Sequence, residues 1–98
     1  MLTSKQKLYL KGLAHSLKPL VNIGKQGLTE PLKKQTDTYL TQHELIKIKI
    51  LEACQEDKKI CAQTLSEQTT SQVVQIIGRT VVLYRPHPEE PVIILPST

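Results

Sequence analysis

Residues 20–32 read Leu-Val-Asn-Ile-Gly-Lys-Gln-Gly-Leu-Thr-Glu-Pro-Leu, and this stretch decides the fold. Its apolar start, from Leu20 to Ile23, predicts a short, largely buried strand that ends at Gly24. Thr29 can cap a helix whose first turn contains an acid and a proline, both of which are favoured there. A strand, a glycine-bracketed loop and a helix in direct succession predict a sheet with helices packed on it.

Upstream of this stretch, a first helix is predicted from about residue 4 to 17. Thr3 and Gln6 have capping-box spacing, and Pro19 ends the helical pattern. Apolar residues recur in helical period on its inner side, at Leu10, Leu13, Ala14 and Leu17. Basic residues recur at steps of four, four and three and form a stripe on another side, at Lys7, Lys11, His15 and Lys18.

Downstream, residues 44–50 predict a half-exposed strand after the second helix, because isoleucine alternates with lysine from Ile46 to Ile50. Residues from about 56 to 69 predict a third helix, and residues 72–77 and 80–85 predict two strands joined at Gly78-Arg79. The expected fold class is α/β in two layers, with the order α-β-α-β-α-β-β and a mixed four-stranded sheet. One domain spans residues 1–98, with a core at about 4–86 and a C-terminal extension at 87–98, in which Val92 to Leu95 could add an edge strand.

The charge of the chain is unevenly distributed. Thirteen basic and nine acidic side chains give 98 residues a formal charge of +4. Residues 1–49 carry nine lysines against three acids, hence +6, whereas residues 50–98 carry four bases against six acids, hence −2. The first half therefore favours an anionic partner. Two cysteines, no secretion signal and no long apolar run predict a cytoplasmic protein without a membrane helix.

The GxxG loop, which comprises Gly24, Lys25, Gln26 and Gly27, is the strongest candidate for binding chemistry. Glycines let a ligand approach the backbone, and the amide hydrogens at a helix start favour phosphate. A plain strand-to-helix turn is the competing interpretation of the same four residues. A nucleotide-binding P-loop and a dinucleotide fingerprint are disfavoured, because the loop is too short and has no third glycine.

Other polar residues fit either a structural role or a role in binding. Lys47 and Lys49 fit the solvent face of a strand better than a binding role, and Arg79 fits a hairpin tip. Arg85 could pair with an acid such as Glu44, and His15 could pack locally or contact phosphate. The cysteines and histidines are too scattered for a metal site, Cys61 is expected in the core, and no catalytic grouping is found.

Five blocks of the sequence together resemble one known family. They are Lys11–His15, Leu17–Pro19, Ile23–Leu28, His43–Lys49 and Gly78–Pro86. In this order, over about residues 4–86, they are similar to the CRM domain (chloroplast RNA splicing and ribosome maturation), and above all to its stand-alone bacterial form, the YhbY type. The resemblance implies a fold similar to the C-terminal domain of bacterial translation initiation factor three, with a GxxG loop like that of KH domains.

The resemblance also implies a function. It indicates a protein that binds structured RNA and is associated with precursors of the large ribosomal subunit. We therefore expect a non-catalytic protein that binds structured ribosomal RNA and assists large-subunit assembly, as a monomer without cofactor, metal or small-molecule substrate. The resemblance assigns RNA binding to Gly24, Lys25, Gln26 and Gly27 in the loop and to Lys7, Lys11, His15 and Lys18 on the first helix. Lys33 and Lys34 are added for their position just beyond the loop, from which they could reach the same RNA. The acidic, proline-rich tail departs from the family pattern, which makes RNA contact there doubtful.

Composition independently favours recognition of the RNA backbone. The chain has no Phe or Trp and only three Tyr, so few aromatic rings are available for stacking with bases. Charge and amide donors read phosphate and shape instead. A rival hypothesis is a protein-interaction module that docks on a ribosomal protein or translation factor, and a third, an RNA-processing enzyme, lacks a visible nucleophile or metal site.

Overall fold

The computed structural model describes residues 2–97, which form three helices and four strands. In chain order these are α1 (Ser4–Ala14), β1 (Pro19–Ile23), α2 (Glu30–His43), β2 (Leu45–Ile50), α3 (Lys58–Gln68), β3 (Gln72–Ile77) and β4 (Thr80–Tyr84). The predicted class and the predicted order of elements are confirmed. Among residues 2–97, no helix combines the length and the apolar character that crossing a bilayer requires.

The four strands form one mixed sheet in the order β1-β2-β4-β3. β1 and β2 are parallel, because α2 returns the chain to the end of the sheet at which β1 begins. The other two pairs of neighbouring strands are antiparallel. Gly78 has a φ of 56° in the turn between β3 and β4, which matches the predicted hairpin with glycine in first position.

Helices cover both faces of the sheet, so the predicted two layers become three. In β4, Val81 and Leu83 belong to the core under α2 and α3, while Val82 and Tyr84 belong to the core under α1. This alternation follows from the period of two in a strand. We refer to the two sides as the α2/α3 face and the α1 face.

Helix α1 begins as predicted but is shorter. Thr3 and Gln6 form the capping box, with the Gln6 amide donating to Thr3 Oγ1 at 3.1 Å. The helix ends at Ala14, after which the His15 amide donates to the carbonyl of Gly12 at 3.3 Å in a tighter turn. Leu10 is buried, but Leu13 and Leu17 are partly exposed, so their predicted place on the inner face is wrong.

The predicted strand at Val92–Leu95 is absent from the sheet, and Glu44 is the reason. Its buried carboxylate accepts hydrogen bonds from the backbone amides of His87, Val92 and Ile93 at 2.7, 2.9 and 2.8 Å. Residues 87–97 therefore run as a strap, the C-terminal strap, whose residues Ile93 and Leu95 pack against the core of the α1 face. Burial raises the pKa of the Glu44 carboxyl, but the three amide donors outweigh it and hold that pKa below its ordinary value.

Arg85 does not pair with Glu44, because that carboxylate faces the strap. Its guanidinium donates to Asp37 Oδ1 at 2.6 Å and to the carbonyl of Thr69 at 2.7 Å. Arg85 thus ties α2 to the turn that follows α3.

Candidate nucleic-acid interface

The GxxG loop forms a tight turn at the end of β1. The amide of Gly27 donates to the carbonyl of Gly24 at 3.0 Å, and Gly27 has a φ of 68°, which favours glycine. Lys25 and Gln26 stand exposed at the tip, and their backbone amides donate no hydrogen bond to any residue within 2–97. The tip therefore offers two free amide donors and one cation to an anionic ligand.

The start of α2 offers fewer free amides than its sequence indicates. Pro31 has no amide hydrogen, the Leu32 amide donates to Thr29 Oγ1 at 3.3 Å, and the Lys33 amide donates to the carbonyl of Thr29 at 3.0 Å. The amides of Leu28, Thr29 and Glu30 donate no hydrogen bond within residues 2–97. Open donors therefore continue from the loop tip to the first residue of α2.

Glu56 lies against the second glycine, a contact for which no sequence pattern gives a signal. A Cβ on Gly27 would lie 2.8 Å from Glu56 Oε1, so no other residue fits there without a shift. Glu56 Oε2 also accepts a hydrogen bond from Cys61 Sγ at 3.3 Å. The carboxylate therefore packs beside buried Gly27 and leaves the tip residues Lys25 and Gln26 exposed.

Cys61 is a core residue, as predicted. Burial, helped by the hydrogen bond to Glu56, raises the pKa of its thiol to about 12. The thiol therefore stays protonated at neutral pH, and a protonated thiol is a poor nucleophile.

A basic hollow lies between the end of α1 and the sheet. Its volume is about 450 Å³, it is lined by Lys11, His15 and Lys47 together with Thr80, and no acidic side chain among residues 2–97 lines it. Lys47 Nζ donates to the carbonyl of His15 at 3.4 Å, where a cation also complements the dipole of α1. Lys47, which the alternating pattern assigns to solvent, therefore joins the helix stripe to the sheet.

The register of the strands puts further cations near the GxxG loop. Lys49 pairs with Asn22, two residues before Gly24. The carbonyl of Arg79 accepts a hydrogen bond from the Ile50 amide at 2.7 Å, which brings the hairpin tip to the same end of the sheet. The loop, Lys49 and Arg79 therefore share one end of the molecule.

The remaining predicted residues divide between the two faces. Lys7 lies one helical turn before Lys11 on α1, and Lys18 lines a second hollow that also includes Lys47. Lys33 and Lys34 lie on α2, beside the acids Glu30 and Asp37 and on the other side of the sheet. The structure thus brings Lys11 and His15 together through Lys47, and it separates both from Lys33 and Lys34.

Comparison with known proteins gives consistent matches over nearly the whole chain. The model of the CRS1/YhbY (CRM) domain matches residues 2–85. "Probable RNA-binding protein YqeI" of Bacillus subtilis is 44% identical over 96 residues, which cover 98% of this chain and 100% of that protein. An "RNA-binding protein" of Haemophilus influenzae is 45% identical over 88 residues, 90% of this chain and 89% of that protein.

A solved structure shows the same fold. The solution structure of SAV1595 from Staphylococcus aureus superposes with a TM-score of 0.82 at 49% identity and covers 98% of this chain and 100% of that one. Within residues 2–97, no group of three or more His, Cys, Asp or Glu side chains is placed to hold a metal ion. Because the family model matches residues 2–85 and the two relatives are 44% and 45% identical, the chain belongs to the CRS1/YhbY (CRM) domain family.

Proposed function

We propose that this protein is a non-catalytic, cytoplasmic RNA-binding factor that acts as a monomer and assists assembly of the large ribosomal subunit. The observation that carries RNA binding is the exposed tip of the GxxG loop, where the free amides of Lys25 and Gln26 share one end of the molecule with Lys49 and Arg79. Two relatives with 44% and 45% identity are named as RNA-binding proteins, which supports the same partner here. The ribosomal role rests on the resemblance to the stand-alone bacterial CRM proteins.

RNA bound at the loop can extend over either face of the sheet, and the two faces differ in charge. On the α1 face the basic hollow contains Lys11, His15 and Lys47 without an acid. On the α2/α3 face the lysines at 33 and 34 share their hollow with two acids, so its formal charge is close to zero. Phosphate neutralisation supplies much of the affinity for RNA, and the α1 face is therefore the favoured route.

The test replaces the loop tip. Lys25→Asp with Gln26→Asp should reduce affinity for ribosomal RNA by at least about tenfold, because two carboxylates at the loop tip would repel the phosphate that binds there. Filter binding measures this loss, and circular dichroism checks that the domain stays folded. Lys59→Asp with Gln63→Asp on exposed positions of α3 makes the same change of charge outside the loop and should retain most of the affinity. Equal losses in the two variants would remove the loop from the mechanism.

The ribosomal part of the proposal has its own test. Sedimentation of cell extract on a sucrose gradient should place the protein with precursors of the large subunit, and the loop variant should shift to the free fractions. Absence of the wild-type protein from every ribosomal particle would reject the assembly role. Retention of the loop variant on the particle would favour docking on a ribosomal protein.

A further inference from the structure

An apolar groove of about 420 Å³ opens on the α1 face, beside the start of β1. Three leucines line it and remain partly exposed, Leu13 by 39%, Leu17 by 37% and Leu20 by 40%. Helical period predicts a core position for the first two, so their exposure is unexpected. Apolar side chains gathered in one concave patch indicate an interaction site, whereas scattered ones need no explanation.

The rim of this groove is basic. Lys18, His43 and Lys47 line it, and no acidic residue within 2–97 does. A second copy of the chain is a poor occupant, because a two-fold contact would bring the same cations against each other. The groove instead fits a ligand with an apolar body and anionic flanks, which describes a nucleobase between two backbone phosphates.

Strand β1 connects this groove to the GxxG loop. Pro19, at the groove end, pairs with Lys47, and Ile23, at the other end, immediately precedes the loop. Four residue steps at about 3.3 Å each make a separation of roughly 13 Å. An RNA strand held at the loop therefore reaches the groove within a few nucleotides.

We propose that the apolar groove seats an unpaired nucleobase of the RNA held at the GxxG loop, an inference that rests on the proposed function. The leucines cover the apolar faces of the base, the His43 ring provides a stacking surface, and Lys18 and Lys47 neutralise the flanking phosphates. Aliphatic walls thus take the place of the aromatic residues that the chain largely lacks. Recognition then includes a single-stranded segment beside the structured part of the RNA.

The experiment compares two RNAs of equal charge, a hairpin with a short single-stranded tail and the same hairpin with abasic residues in the tail. The wild-type protein should bind the RNA with the intact tail about tenfold more tightly than the abasic RNA, because loss of one stacked base has an effect of this size. Leu13→Ser with Leu17→Ser should bind both RNAs equally, with the affinity that the wild type has for the abasic one. Ile60→Ser with Ile94→Ser, which changes two exposed isoleucines outside the groove, should keep the wild-type preference.

Each other outcome overturns the proposal. Equal binding of both RNAs by the wild type, or an unchanged preference in the leucine variant, would exclude a base from the groove while leaving RNA binding intact. If the leucine variant leaves the ribosomal particle with both RNA affinities unchanged, the groove is a docking site for protein. Failure of the wild type to bind either hairpin or ribosomal RNA would reject the proposed function itself.

Discussion

The two faces of the sheet differ in how completely they are covered. Within residues 2–97, twelve buried residues form a continuous core under α2 and α3, whereas the core under α1 has six. The α1 face also carries the basic hollow, the apolar groove and the C-terminal strap. The comparison indicates that one face supplies most of the stability, while the other keeps the uncovered surface that binding requires.

Truncation of a buried leucine on the α2/α3 face should give the largest effect. Leu40 is fully buried, so Leu40→Ala should lower the free energy of unfolding by about 3 kcal/mol. Leu13→Ala on the α1 face should cost less than about 1 kcal/mol, because its side chain is already partly in water. Urea denaturation measures both values. Similar costs for the two variants would show that Leu13 is packed as tightly as Leu40.

Detachment of the strap should have the next largest effect. Glu44→Ala leaves three amides without their acceptor and should cost about 2 kcal/mol. The pKa of Glu44 is lowered in the folded protein, so its contribution is complete above the pKa of the unfolded chain and is lost as pH falls through the folded value. Wild type should therefore lose more stability than Glu44→Gln as pH falls below about 4. Parallel pH profiles of unfolding free energy would contradict this role.

Two glycines with positive φ allow a finer comparison, one in the β3–β4 hairpin and one in the GxxG loop. Gly78→Ala places a side chain at φ 56° in open space and should cost about 1 kcal/mol. Gly27→Ala has a similar φ and also displaces the flexible end of the Glu56 side chain, so it should cost slightly more, about 1.5 kcal/mol. Thermal unfolding measures the difference, and Gly27→Ala combined with Glu56→Ala should remove it. If the stability costs of the two substitutions simply add in the double variant, the carboxylate does not constrain the loop.

The smallest expected effects concern the lysines. Replacing Lys7, Lys11 and Lys18 by alanine should reduce the slope of log affinity against log salt by about 0.7 to 0.9 for each phosphate that is no longer neutralised. Three lysines of the α2/α3 face, namely Lys33, Lys34 and Lys59, provide the matched control. Titration of ribosomal RNA at several salt concentrations measures both slopes. A larger change from the control set would place the RNA on the α2/α3 face.

Much of the fold is predictable because local signals agree with the tertiary structure. The capping box, the alternation from Ile46 to Ile50 and the glycine at 78 each fix a backbone geometry without distant partners. The predicted third helix agrees with the observed one to within about two residues, and the predicted β3 has the observed bounds. Errors arise where a distant side chain decides the outcome. Glu44 binds the amides that Val92 and Ile93 would need for an edge strand.

The candidate site is only partly visible in the sequence. The GxxG loop is a local motif and can be found, but Glu56 reaches Gly27 from a separate loop, and no spacing rule predicts that contact. Lys47 has the pattern of an ordinary solvent-facing strand residue, and only the crossing of α1 over the sheet brings it to His15. The predicted contacts of Lys33 and Lys34 remain predictions.

The first helix and the C-terminal strap meet. The Gln6 side chain donates to the carbonyl of Pro96 at 3.0 Å, across 90 positions of sequence. The Leu2 amide donates to Gln72 Oε1 at the start of β3, the end of the sheet opposite the GxxG loop. Domains whose ends lie side by side tolerate circular permutation and insertion into a host loop, since a short linker closes the gap without distortion. A single copy can therefore be inserted into a larger protein as a cassette, with both junctions at the end of the sheet opposite the GxxG loop.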